Sequence, residues 1–187
     1  MNRRIYMNEQ EIVIKRNNAF LKYTYEDVLA YHGGEMPGGV ALAFRMIQWV
    51  FEDVLKVEIE HGNCSFYSGL GKNGRGIMDT AKLLLGVVEN DSLNLDIEYS
   101  LDKTGPIAPG GGRYYFEVAC GEKKAKLSVR DGVIPKSFFE YSAKMHRKRS
   151  RGEVISKQEK EELQRLRKET SYHILKARRE EIFQIIE

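Results

Sequence analysis

The longest apolar stretch of the chain starts at Pro37 and continues to about Lys56. Its hydrophobic residues recur at helical spacing and cover a wide face: Val40, Leu42, Phe44, Ile47, Trp49, Val50, Phe51, Val54 and Leu55. A face this wide is typical of a helix buried on most sides, and proline suits the first helical turn. We therefore predict a long central helix, most of it in the core and part of it available to a second copy of the chain.

Capping and stop signals predict four shorter helices. A Ser or Thr followed three residues later by an acid satisfies free N–H groups of a first helical turn, and a glycine commonly ends the last turn. Together with Pro135, such signals place these helices at residues 24–31, at 77–85, from 136 to about 145, and from Ser156 onward.

Alternation of apolar and polar residues predicts the strands. They are placed at residues 57–60, 94–100, 113–119, 125–130 and 182–186, and residues 11–14 form either a short strand or a piece of helix. Because Gly121 marks a hairpin turn, the sheet is predicted to be mostly antiparallel. The elements together predict an α+β fold in which the long central helix packs on this sheet. A core domain would cover residues 1–145, and a C-terminal arm of basic linker, helix and closing strand would cover residues 146–187.

The composition is that of a folded protein with a core of moderate size. Of the 187 residues, 42% are hydrophobic and 30% are charged. No apolar run approaches the roughly 20 residues of a membrane span, and residues 1–5 begin no hydrophobic signal core, so we expect a cytoplasmic protein that does not enter membranes. Only Cys64 and Cys120 are cysteines, which excludes a disulfide framework and a four-cysteine zinc site.

The net charge of +3 is unevenly distributed along the chain. Residues 1–135 contain 16 basic and 18 acidic residues, whereas residues 136–187 contain 14 and 9. The densest basic run covers residues 146–151 and could contact phosphates. Because no aromatic residues are interleaved with it, we interpret this run as a solvated linker and do not expect nucleic acid to be a partner.

The stretch from His32 to Gly39 joins two predicted helices and is the first candidate ligand site. Its glycines Gly33, Gly34 and Gly38 permit a sharp turn and a close approach of the backbone. The helix start that follows offers free N–H groups to an anion, and His32 adds a titratable side chain. The alternative interpretation is a helix–helix corner with a surface histidine.

Gly69, Gly71 and Gly74 match the G-x-G-x-x-G fingerprint of dinucleotide-binding loops. The preceding predicted strand ends nearly ten residues before the first of these glycines, and no parallel strand–helix–strand unit follows. We therefore favour a flexible loop near a ligand, with Lys72 within it, over a dinucleotide site.

Candidate metal ligands are His61, Cys64, Asp79 and His32. A His-x-x-Cys pair offers imidazole and thiolate, which suit zinc or nickel. The same cysteine could act as a nucleophile if a base lay beside it. The ordinary alternatives are a strand-edge histidine, a small buried cysteine and an aspartate that complements a helix dipole.

Three blocks of the chain resemble the FmdE family, whose name comes from formylmethanofuran dehydrogenase. Residues 31–43 resemble the family's His-Gly-His-x-Cys-Pro-Gly signature, which leads into a long apolar helix. Residues 79–86 resemble its second block, an Asp-led helix ending in Gly, and residues 152–183 resemble its closing helix and strand. The resemblance implies an α+β domain related to methanogenesis. It also implies a homodimer found beside the other subunits of a molybdenum- or tungsten-dependent dehydrogenase.

The metal-binding residues of that family are mostly replaced in this chain. His32 matches the first signature histidine, but Gly34, Met36 and Gly76 stand where the family has His, Cys and Cys. Hydrogen and thioether do not replace imidazole and thiolate as ligands of a divalent ion. The metal site that the resemblance implies is therefore reduced to His32 and Asp79, which the His-x-x-Cys pair could complement.

Three functions are compatible with these observations. We favour an FmdE-like accessory protein that binds a small anionic or oxygen-rich ligand, with a divalent metal as an optional cofactor. The second is a stand-alone enzyme of one-carbon metabolism that uses a metal, Cys64 as nucleophile or His32 as general base. The third is a structural or docking protein whose basic arm meets an acidic partner or nucleic acid. The predicted ligand-binding residues are His32, Gly33, Gly34, Gly38, Gly69, Gly71 and Lys72, and the predicted metal ligands are His32, His61, Cys64 and Asp79.

Overall fold

The computed structural model describes residues 11–88 and 91–187, and its first elements form a three-stranded sheet. Strands β1 (Glu11–Arg16) and β2 (Ala19–Thr24) pair antiparallel around a two-asparagine turn with φ values of 49° and 63°. Asparagine tolerates this left-handed backbone, which a tight hairpin requires. Residues 11–14 are therefore strand, and the N-terminal segment in which we predict no signal core lies outside the described residues.

The predicted central helix is confirmed as α2, which covers Pro37–Trp49 and continues into a π-helical turn at Val50–Val54. It follows α1 (Tyr25–His32), where Thr24 and Asp27 form the predicted capping box. Strand β3 (Ile59–Glu60) then returns to pair parallel with β1.

A second sheet follows, with the order β5-β4-β6-β7-β8. Its strands are β4 (Cys64–Ser68), β5 (Leu93–Asn94), β6 (Tyr115–Cys120), β7 (Lys123–Val129) and β8 (Phe183–Ile185). All neighbours pair antiparallel except β4 and β5, which are parallel and are joined through helix α3 (Arg75–Leu85). The return of the last apolar run to the core as a strand is confirmed, and so is the α+β class.

The C-terminal arm contains α4 (Lys136–Ser150), α5 (Lys157–Lys176) and the short α6 (Arg179–Ile182). Our interpretation of residues 146–151 as a solvated linker is wrong, because the helix that follows Pro135 continues through this run to Ser150. The Lys148 ammonium lies 2.8 Å from the Glu159 carboxylate and fastens the last turn of α4 to α5.

One apolar core joins α2 to the inner faces of both sheets. Helix α2 lies between α1, α3 and α5. Trp49 at its end stacks on Phe183 of β8, with ring centroids 5.7 Å apart, and Phe66 of β4 stacks on Phe116 of β6 at 6.1 Å. At its other end, α2 starts close to α3 and α5: a Cβ on Gly39 would lie 3.5 Å from the Cα of Gly76, and one on Gly38 would lie 3.4 Å from Arg167 O. The cavities described below are found there.

The strand predicted at residues 94–100 is wrong beyond its first residue. The side chain of Asn94 accepts a hydrogen bond from the N–H of Asp96, and the side chain of Asp96 accepts one from the N–H of Glu98, both at 3.0 Å. Such local bonds favour turns over strands. The chain accordingly forms a 3-10 turn at Glu98–Ser100.

Within residues 11–88 and 91–187, no helix has both the length and the apolar character that crossing a membrane requires.

Candidate functional site

His32 and Asp79, two of the four predicted metal ligands, lie in contact. Helix α1 ends at His32 because Gly33 adopts a left-handed backbone with φ of 83°, which only glycine adopts without strain. The turn directs the imidazole inward, where its Nδ1 lies 2.8 Å from Oδ2 of Asp79 on α3. Lys82, one turn further along α3, lies 3.2 Å from the other carboxylate oxygen.

This contact is a charge-assisted hydrogen bond to an ionised carboxylate. Burial alone would raise the pKa of Asp79, but hydrogen bonds from His32 and Lys82 outweigh it, and the pKa is lowered. Nδ1 of His32 therefore donates, and the side chain is fully buried. Its Nε2 is also buried and has no hydrogen-bond partner among the residues that the structure describes. His32 is thus neither a surface histidine nor a side chain that lines the cavities described below.

The four predicted metal ligands are not gathered into one group. In the described ranges, no cluster of three or more His, Cys, Asp or Glu side chains is arranged to hold a metal ion. His61 lies at the end of β3, where its N–H donates to Lys15 O. The sulfur of Cys64 lies 2.7 Å from that of Cys120 on the neighbouring strand. Zinc or nickel at these residues stays a prediction.

A wide, open cavity of about 980 Å³ is lined in part by the glycine turn that follows α1. The turn after α1, the loop before α3 and the facing sides of α4 and α5 form its wall. The lining residues are Gly33, Gly34, Glu35, Met36, Lys72, Asn73, Arg75, His146, Arg149, Ser150, Lys160, Leu163, Gln164 and Arg167.

The wall of this cavity is strongly basic. It carries five Lys or Arg side chains and a single carboxylate, that of Glu35. The Glu35 carboxylate lies 3.2 Å from Arg75, and the backbone oxygen of the same residue accepts a hydrogen bond from Arg167. The remaining three cations, Lys72, Arg149 and Lys160, form no ion pair with any residue in the described part of the chain. We therefore call this space the basic cavity.

Burial and the neighbouring positive charges lower the pKa values of two side chains in the wall. Burial first, and then the nearby charges of Arg149 and Arg75, lower the pKa of Arg167, although it remains protonated at neutral pH. Burial, Arg149 and Arg167 likewise lower the pKa of His146. Like charges held this close repel one another, so an anion placed among them would be bound favourably.

A narrow cleft of about 90 Å³ adjoins the basic cavity and shares four of its residues, Met36, Asn73, His146 and Arg167. Its remaining wall is apolar or glycine apart from three hydroxyl side chains. The lining residues found only here are Gly38, Gly39, Leu42, Leu70, Gly74, Gly76, Ile77, Ala108, Pro109, Gly110, Tyr114, Ile134, Phe138, Ser142, Thr170 and Ile174. We call this space the apolar cleft.

Glycines bring two helix starts to the apolar cleft. A Cβ on Gly76 would lie 3.0 Å from Met36 O and from Val40 N, and one on Gly38 would lie 3.4 Å from Arg167 O. Neither α2 nor α3 has a side-chain cap. The first N–H groups of a helix have no partner within it, so both starts add positive potential to the region.

The structure places four of the seven predicted ligand-binding residues at the wall of a cavity. Gly33, Gly34 and Lys72 line the basic cavity, and Gly38 lines the apolar cleft. Gly69 and Gly71 line neither: a Cβ on Gly69 would lie 2.6 Å from Arg113 O, and one on Gly71 would lie 2.5 Å from the side chain of Ile97. The glycines of the G-x-G pattern therefore permit close packing between loops.

Sequence reasoning missed the residues that α4 and α5 contribute. His146 and Arg149 are three residues apart, as are Lys160 and Leu163, and this spacing places each pair on one face of its helix. The signal was present in the basic run, but we assigned that run to a linker, which gives its side chains no common direction.

No protein-family model matches the chain, and no curated protein is significantly similar to it.

Proposed function

We propose that the protein is a binding protein that holds a small anion in the basic cavity. The observation that carries the proposal is the surplus of cations on one concave wall, five against a single carboxylate. Charge-assisted hydrogen bonds to arginine are among the stronger polar interactions in proteins. The concave shape of the wall suits a compact ligand better than a flat protein surface does.

The proposal includes the accessory role that the resemblance to the FmdE family implies. In that role, the chain would form a cytoplasmic homodimer and join other subunits of a molybdenum- or tungsten-dependent dehydrogenase of one-carbon metabolism. The binding of an anion requires neither a metal nor catalysis. The His32–Asp79 pair would then stabilise the turn that positions Gly33 and Gly34.

Titration calorimetry with inorganic phosphate tests the proposal directly. At low ionic strength we expect one site per chain with a dissociation constant of roughly 1 mM or below, the sum of a few charge-assisted hydrogen bonds. Added chloride should weaken binding, and the amide signals of Gly33, Gly34 and Asn73 should shift in nuclear magnetic resonance spectra. Absence of a saturable site, or shifts confined to other surfaces, would contradict the proposal.

The affinity for sulfate is expected to rise as the pH falls from about 7 to about 5, the range in which imidazole gains its proton. In the empty cavity, burial and the charges of Arg149 and Arg167 lower the pKa of His146. A bound dianion offsets those charges and raises that pKa, so binding takes up a proton and is favoured by acid. We expect a change of roughly three- to tenfold, about a pKa unit or less. In His146→Gln, calorimetry should show an affinity that no longer depends on pH.

A further inference from the structure

We propose that the ligand is an organic phosphate monoester whose short apolar tail enters the apolar cleft while its phosphate occupies the basic cavity. This inference rests on the proposed function and specifies the ligand class of the same site. It starts from the four residues that the two spaces share, because a continuous wall allows one molecule to occupy both.

The chemistry of the walls changes abruptly along this path. Cations surround the wide end, whereas Leu42, Leu70, Ile77 and Phe138 are among the side chains that line the narrow end. His146 and Arg167 stand at the boundary between the two. A phosphate held at this boundary would satisfy the cations and direct its ester substituent toward the apolar side.

The size of the cleft limits the tail. A dry apolar cavity of about 150 Å³ accepts a benzene molecule, so a cleft of about 90 Å³ suits a chain of about four carbons. The polar side chains found only in the cleft are the hydroxyls of Tyr114, Ser142 and Thr170. Thr170 already donates its hydroxyl to Leu166 O within α5, so two hydroxyls remain in a lining that is otherwise mostly apolar or glycine.

Three probes test the inference on the wild-type protein: inorganic phosphate, n-butyl phosphate and glycerol 3-phosphate. Burial of the butyl chain should make n-butyl phosphate bind roughly 10- to 100-fold more tightly than inorganic phosphate. Glycerol 3-phosphate has the same head and a polar tail of similar length, and it should show no such gain. Binding of phosphate without a gain for the butyl ester overturns this inference and leaves the proposed function intact, whereas failure of all three probes overturns both.

The variant Ser142→Leu locates the tail. Leucine would fill part of the cleft, so the ratio of the two affinities, butyl ester to inorganic phosphate, should fall to about one. Ala108→Val changes another residue of the cleft wall and should lower the same ratio. It replaces Ser142→Leu in the test if that variant melts at a markedly lower temperature than the wild type. An unchanged ratio in a folded variant would place the tail elsewhere and overturn the inference.

An independent observation concerns the two cysteines, and from it we infer that Cys64 and Cys120 form a reversible disulfide when a peroxide is present. They are direct cross-strand partners in the antiparallel pair of β4 and β6, and their sulfurs are 2.7 Å apart. The N–H of Gly121 donates to Asn63 O one position further along the pair. The two cysteines therefore occupy a non-hydrogen-bonded position, where the Cα separation of about 4.5 Å lies within the disulfide range.

The geometry assigns different roles to the two sulfurs. Cys120 is 8% exposed and Cys64 only 2%, so Cys120, in its thiolate form, is the sulfur that a peroxide reaches first. This thiolate attacks one peroxide oxygen, the O–O bond breaks, hydroxide leaves and a sulfenic acid forms. The sulfur of Cys64 then attacks the sulfur of Cys120, and the S–S bond forms as the sulfenic oxygen departs. The two thiol protons complete two waters, so two thiols and one hydrogen peroxide give one disulfide and two waters. With Cys120 only 8% exposed, a small peroxide fits better than a bulky disulfide.

Mass spectrometry after treatment of the full chain with hydrogen peroxide tests this second inference. We expect loss of two hydrogens, protection of both thiols from alkylation, a rise in melting temperature of roughly 5–15 °C, and reversal by dithiothreitol. In Cys64→Ser, a sulfenic acid at Cys120 should instead be trapped by dimedone. Two thiols that still alkylate after oxidation, or a disulfide between two chains on a non-reducing gel, would overturn the inference.

Discussion

Replacing Gly69 by alanine is expected to lower the free energy of unfolding by about 3 kcal/mol, the upper range for an overpacked site. The added Cβ would lie 2.6 Å from Arg113 O, 2.8 Å from the Cβ of Ser100 and 3.1 Å from Tyr115 O. Two of these atoms belong to the backbone beside or within β6 and cannot swing aside as the end of a side chain can. Urea unfolding followed by circular dichroism measures the loss.

Gly132→Ala is the matched control for this substitution. Gly132 has a left-handed backbone with φ of 82°, but nothing lies within 4 Å of a Cβ placed there. Gly132→Ala should lower the free energy of unfolding by about 1 kcal/mol, because alanine is less favourable than glycine in a left-handed backbone. If the two substitutions cost the same, steric packing at Gly69 is not the reason for that glycine. If Gly69→Ala instead kept its stability and lost affinity for phosphate, the G-x-G pattern would serve a ligand after all.

The glycine pattern shows why sequence alone misleads at this point. A backbone atom that must approach another atom closely requires glycine, whether the neighbour is a bound phosphate or a second loop of the same chain. Gly69 meets β6 and Gly71 meets Ile97, both far along the chain from the motif. Only the tertiary structure distinguishes the two causes, so the fingerprint could not.

Elements with local causes were predicted well. The capping boxes at Thr24 and Ser156 and the left-handed stop at Gly86 each depend on a few neighbouring residues, and all three are present. The strand predicted at residues 94–100 failed although its cause was equally local, because we weighed the alternation of Leu95, Ile97 and Tyr99 above the turn-forming side chains between them.

The basic cavity could be predicted only in part, because its walls meet only in the folded chain. The last turn of α4 is held by Glu159 of α5, and the start of α2 lies against Arg167 of the same helix. Helices α4 and α5 are separated in sequence by a short break, whereas α5 and the start of α2 are separated by most of the chain. The glycine stretch indicated one wall of an anion site, and the opposite wall is defined only when α4 and α5 fold back on it.

Removal of two charges from that opposite wall should abolish most of the binding of inorganic phosphate. The double variant Arg149→Gln/Arg167→Gln leaves a shorter, neutral amide at each position and removes two of the five cations of the wall. Because a hydrogen bond to a charged group contributes about 1.5–3 kcal/mol, the dissociation constant should rise roughly 100-fold or more. Titration calorimetry at constant low ionic strength measures the change.

The chain supplies a control double variant, in which the two charges removed lie on the same helices but do not line the basic cavity. Arg147 follows His146 and Lys168 follows Arg167, and both of these neighbours line the cavity. Arg147 and Lys168 are themselves exposed and do not line it. Arg147→Gln/Lys168→Gln removes the same charge from the same two helices, and phosphate affinity should change less than about threefold, as expected for screened surface charges. Equal weakening by the two double variants would mean that the affinity for phosphate depends on the net charge of the arm. The basic cavity would then not be the binding site. An acidic protein partner docked on the outer face of the arm would show the reverse order, because its affinity would depend on Arg147 and Lys168 instead.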